Sequence, residues 1–126
     1  MTRKIQISAG KVTQTAALND TPTADAIWNA LPIEGHANLW GDEIYFNIPV
    51  HLEETEDARQ EMDVGELGYW PVGTTFCIFF GPTPASVGEK PRAYSNVNPF
   101  GQIEGDATAF RTVTNGEMVT VSRTEG

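Results

Sequence analysis

Cysteine is almost missing from this chain. The single residue, Cys77, excludes an intramolecular disulfide and fits a reducing compartment, so the sequence predicts a fold held by its apolar core and a cytoplasmic address. Histidine is nearly as scarce: His36 and His51 stand alone, outside any zinc-ligating spacing. Both are expected to be solvated, and no metal or other cofactor is expected. Positive charge is also short, with 8 Lys and Arg against 17 Asp and Glu and a net charge of -9. A surface of that sign repels a phosphate backbone, which argues against nucleic acid as a partner. No apolar run approaches the roughly 20 residues that cross a bilayer, and Met1 to Ser8 is too polar for a secretory leader, so no membrane partner is expected either.

What remains is a globular balance. Of 126 residues 40% are apolar and 20% charged, enough for one domain, residues 1–126, to bury a single core. Lys4 to Ser8 and Lys11 to Ala17 alternate about a turn at Ala9-Gly10, an opening hairpin. Pro22 suits a first helical turn after the capping run Leu18 to Thr21. Ala24, Ile27, Trp28 and Leu31 then form one apolar stripe, which predicts a helix clamped to a sheet by Trp28 and stopped at Pro32. Ile33 to Leu39 reads as a strand. His51 to Asp63, rich in Glu and Asp, reads as a solvated loop with a short helical turn; it lacks the pattern of a calcium-binding loop.

Leu67 to Trp70 reads as a short strand among glycines. Thr74 to Phe80, apolar at nearly every position, reads as a strand covered on both faces. Gly81 to Lys90 is a loop. It fails as a phosphate loop, because Glu89 separates Gly88 from Lys90 and two prolines remove N–H donors. Ala93 to Val97 and Phe100 to Glu104 read as strands interrupted at Asn98-Pro99. Asp106 caps a helical turn through Phe110, and Glu117 to Arg123 closes the chain after the turn at Asn115-Gly116. The class is mostly β, with one or two short helices.

The most informative stretch is Asn38 to Val50, NLWGDEIYFNIPV. In a strand Ile44, Phe46 and Ile48 share one face and Glu43, Tyr45 and Asn47 the other, because successive side chains alternate across the pleat. The first face is core; the second is either a solvated surface or the floor of a site. Asp42 belongs to the turn after Gly41, facing away from Glu43. Trp40 and Trp70, each beside Gly or Pro at a strand end, are either barrel plugs or ligand platforms, and Tyr69 and Phe100 are candidates of the same kind. Cys77 has no neighbouring cation or helix start in sequence and reads as an inert core thiol.

In wording and order, NLWGDEIYFNIPV, VGELGYWPVGTTFCIFFGPTPAS and SNVNPFGQI resemble the cyclophilin-like family of small uncharacterised prokaryotic proteins, across Asn38 to Ile103. The resemblance implies a closed cyclophilin-like β-barrel. Against true cyclophilin prolyl isomerases, YFNIP, TFCI and PFGQI are similar to the strands that build the isomerase face. There the catalytic arginine would fall at Asn47, and a neutral amide cannot supply charge-assisted stabilisation of the twisted peptide. The resemblance therefore implies a concave binding face without isomerase activity, taking a small molecule or short peptide through Trp40, Glu43, Tyr45, Asn47, Trp70 and Phe100. The alternatives are an enzyme, either a residual isomerase or a hydrolase or lyase using Glu43 as acid or base, and an interaction module that pairs through an exposed strand edge.

Overall fold

The structure, a computed structural model, describes residues 3–124. Met1 and Thr2, part of the stretch read above as too polar for a leader, lie outside them. Ten strands and two helices follow in order: β1 (Lys4–Ala9), β2 (Val12–Leu18), α1 (Pro22–Ala30), β3 (Ile33–His36), β4 (Asn38–Leu39), β5 (Glu43–Asn47), β6 (Arg59–Glu61), β7 (Glu66–Trp70), β8 (Thr75–Phe79), β9 (Arg92–Ile103), a 3-10 helix (Ala107–Thr112) and β10 (Met118–Arg123). The mostly β expectation holds. No helix among the described residues is long and apolar enough to cross a membrane.

The opening hairpin pairs Ala9 with Val12, and Gly10 supplies the positive φ of its turn. Thr21 caps α1 by accepting the Ala24 N–H at 3.2 Å, with Pro22 in the first turn where no donor is missed. The helix buries Ala24 and Ile27, and Trp28 packs against the main core as expected without being enclosed by it. It is only half-buried, its ring lying 4.5 Å from the Arg123 guanidinium and 5.6 Å from that of Arg3.

The antiparallel sheet runs β3-β10-β1-β2-β9-β7-β8-β5-β4. This path is open: β3 and β4 are its two ends, and among the described residues no ladder joins them. Only Ala37 lies between them in sequence, and it hydrogen-bonds with the turn before β10, donating to the Glu117 carbonyl and accepting from the Gly116 N–H, both at 2.8 Å. β3 meets β5 by packing instead. A Cβ on Gly35 would come within 2.9 Å of the Phe46 ring.

Inside the sheet, Phe46 stacks on Phe76 at 5.1 Å and Phe76 meets Phe100 edge-on at 5.0 Å, among Ile5, Ile7 and Ile44. Of the segment Thr74 to Phe80, all but the half-buried Thr74 is buried, on both faces as expected, because a second layer covers its outside. Phe76, Ile78 and Phe80 join the main core, whereas Cys77 and Phe79 pack with Met62, Ala93 and Val97.

That second layer comes from two departures from the sequence reading. Residues 59–61 are a strand, β6, rather than part of a solvated loop. β9 runs unbroken through Asn98-Pro99, its first half pairing with β6 and its second with β7 and β2. Pro99 is tolerated because it sits where the β7–β9 register shifts, between Leu67 and Gly68, and a missing N–H costs little at such an irregularity. Buried Asn98 ties the acidic segment down, accepting from the Thr55 N–H and donating to the Glu53 carbonyl, each at 3.0 Å.

Candidate functional site

Between the outer face of β5, β8 and β7 and the first half of β9 lies a cavity of about 140 Å³. β5 contributes Glu43 and Tyr45 to it, β8 Cys77 and β7 Trp70. Trp40 comes from the corner before β5, and Ala93, Tyr94 and Val97 from β9. The corner is fixed locally. Gly41 takes a positive φ of 59°, and the Trp40 N–H donates to the Glu43 carbonyl at 3.0 Å. A Cβ at Gly41 would come within 2.8 Å of the Thr83 backbone.

Alternation along β5 places Ile44 and Phe46 in the main core and turns Glu43 and Tyr45 outward. Outward here does not mean solvated, because the second layer lies on top. Glu43 is 5% exposed, and its Oε1 has no hydrogen-bond partner. Burial lifts its carboxyl to about 7, a rise reduced by hydrogen bonding with the Cys77 thiol. The same burial, reinforced by the Glu43 charge, pushes the Cys77 thiol well above its ordinary value.

The aromatic side is continuous. Tyr94 meets Trp40 edge-on at 6.1 Å between centroids and Trp70 at 5.9 Å, so three rings form one wall. The Trp70 indole N–H donates to Ser95 Oγ at 2.6 Å, which anchors that ring and leaves it apolar toward the cavity. Tyr94 is 72% exposed and stands at the mouth. Val97 seals the inner end by packing on Gly68, where a Cβ would lie 2.7 Å from its Cγ2.

Four of the six candidates read from sequence, Trp40, Glu43, Tyr45 and Trp70, meet at this cavity. The other two do not. Asn47 shares the parity of Glu43 but lies at the end of β5, exposed, its amide donating to the Gly73 carbonyl at 2.8 Å. Phe100 is fully buried in the main core against Phe76, because β9 continues straight through Pro99 and turns that ring inward.

Tyr69 is core as well, its hydroxyl donating to the Val50 carbonyl at 2.6 Å. Cys77 is buried, as a core thiol should be, yet it forms part of the cavity floor. Tyr94 and Val97 were missed as candidates: alternation along Ala93 to Val97 places Val97 with Ala93 and Tyr94 on the opposite face, so the local pattern does not bring the two to one site. His36 and His51 are exposed, and no cluster able to hold a metal ion occurs among the described residues.

The family model described as Cyclophilin-like matches residues 3–122. The solution structure of the hypothetical protein AF2241 from Archaeoglobus fulgidus is 35% identical, with a TM-score of 0.82, covering 98% of this chain and 95% of that one. McbB, solved in complex with tryptophan, is 17% identical with a TM-score of 0.73, a likeness of fold that covers 97% of this chain and 45% of that one. No curated protein matches the chain.

Proposed function

The chain belongs to the cyclophilin-like family, and from that premise we propose that it binds a small molecule, or one side chain of a short peptide, in the cavity between β5 and β9. One observation carries the reading. Glu43, a buried carboxyl with one oxygen left without a hydrogen-bond partner, lines this cavity, and a buried polar group kept at such a cost to stability is expected to serve a ligand. Apolar rings around a single polar group are the usual composition of a small-molecule site. The McbB complex supports the reading only as an instance of this fold carrying a ligand. In the same reading the sheet serves as a barrel, with the link at Ala37 and the packing of Gly35 on Phe46 standing in for the missing ladder. The lone buried cysteine favours a cytoplasmic setting.

Prolyl isomerase chemistry is not part of this proposal. Asn47 is neutral, engaged with Gly73 and outside the cavity. A proline-peptide exchange assay is expected to show no acceleration. The binding test is a protein-observed NMR screen of small fragments, repeated with Trp70→Ala. Hits that perturb the Tyr94 and Val97 signals and disappear in the variant support the site. Hits that bind only elsewhere refute it.

A second reading has an observation of its own, the Glu43 carboxyl lifted to about 7, where an acid or base works near neutrality. It predicts that Glu43→Gln abolishes turnover of a bound fragment while leaving its affinity in place.

A further inference from the structure

Taking the cavity as a ligand site, we propose that its ligand is a small organic cation, an alkylammonium head seated on the Glu43 carboxylate and against the ring wall of Trp40, Trp70 and Tyr94. Charge is the first ground. Glu43 is the one carboxylate in the lining, and no Lys, Arg or His faces it there. The other buried carboxylate makes the contrast. Glu66 is paired with the Arg59 guanidinium and accepts the Asp63 N–H at 3.0 Å. The fold thus supplies a cation to one buried acid and leaves the other open toward a cavity.

The wall is the second ground. A cation within about 6 Å of a ring centroid is attracted by the negative face of the ring, and tryptophan is the strongest partner. Trp40 and Trp70 flank Tyr94 so closely that a head group at the mouth reaches more than one ring. Because Ser95 occupies the Trp70 N–H, that ring offers the cavity no donor that an anion could use. Size agrees. A dry cavity of about 150 Å³ holds a benzene-sized molecule, close in bulk to a trimethylammonium head. The net charge of -9 also draws cations toward the molecule.

The titratable groups that face Glu43 are Tyr45 on its own strand, Cys77 on β8 and Tyr94 on β9, none of them cationic. Its carboxyl is held near 7 chiefly by burial. A bound cation opposes that effect, so binding below neutrality must expel a proton and weakens as pH falls.

The test uses choline and its neutral isostere, in which a tert-butyl group replaces the trimethylammonium, titrated into the full chain by NMR. At about pH 8 choline is expected to bind at least about tenfold tighter than the isostere. Glu43→Gln should bring choline to the level of the isostere and leave the isostere unchanged. Tyr94→Ala, at an exposed position that tolerates truncation, should weaken choline about fivefold. Should Glu43→Gln fail to fold, choline titrations of the native chain at about pH 6 and pH 8 decide, with tighter binding at the higher pH expected. Equal affinity for the two probes, or a flat pH response, overturns the cation and leaves the cavity as a ligand site. If neither probe perturbs the cavity signals at about 10 mM, where even feeble affinity registers, both readings fall.

Discussion

Replacing Glu43 with glutamine should change how the stability of this protein responds to pH. In the unfolded chain the Glu43 carboxyl titrates at its ordinary value of 4.5, and in the folded chain at about 7. Between those values the native state holds a proton that the unfolded state has released, so stability falls as pH rises. The contribution is fully present below about 4.5 and lost above about 7. At about 1.4 kcal/mol for each pH unit between the two values, the loss is about 3 kcal/mol. Glu43→Gln keeps the shape and removes the titration.

Urea unfolding followed by tryptophan fluorescence, at pH values from about 4.5 to 8, measures the difference between variant and native protein. That difference should grow by about 3 kcal/mol in favour of the variant toward the alkaline end, a gap of roughly 10 °C in melting temperature for a chain of this size. Asp106 and Glu117, whose carboxyls are lowered by hydrogen bonds from Thr108 and Thr114, have the opposite slope at acid pH. They are present in both proteins and cancel. Parallel stability curves would refute the buried, unpaired carboxylate.

The Cys77 thiol, buried and raised by burial and by Glu43, should resist alkylation by a thiol reagent in the native protein and react fully in denaturant, as read by mass spectrometry. Gly41→Ala should cost about 1–3 kcal/mol in urea unfolding, since the new Cβ meets the Thr83 backbone at a positive φ, and should disturb the Trp40 signal along with stability. Thr21→Ala removes the cap of α1 and should cost about 1 kcal/mol in urea unfolding without altering fragment binding.

Local pattern carried most of the fold. The hairpin around Gly10, the capped helix, the alternation of β5 and the doubly covered β8 are each dictated by neighbours in sequence, and the structure contains them. What the sequence did not show was long-range. Pro99 looks like a break because the register shift that accommodates it belongs to β7, about thirty residues away. With β9 divided in two, Phe100 looked like a corner ring rather than a core one.

The candidate site follows the same division. Parity along β5 correctly grouped Glu43 with Tyr45, but parity cannot say where a second layer stops, so Asn47 was grouped with them although it lies beyond the layer. Tyr94 was missed because its role depends on Trp40 and Trp70, which approach it from separate segments.

The first half of β9 roofs the cavity while its second half is a rung of the main sheet. A roof built this way is not a free loop, since lifting it means parting it from β6 or carrying β6 with it while its other end stays paired in the main sheet. Entry and exit therefore pass through the opening beside Tyr94, and exchange should follow a single step set by diffusion and the width of that opening. Occupancy would then register far from the mouth, as slower amide hydrogen exchange at Gly101 to Ile103.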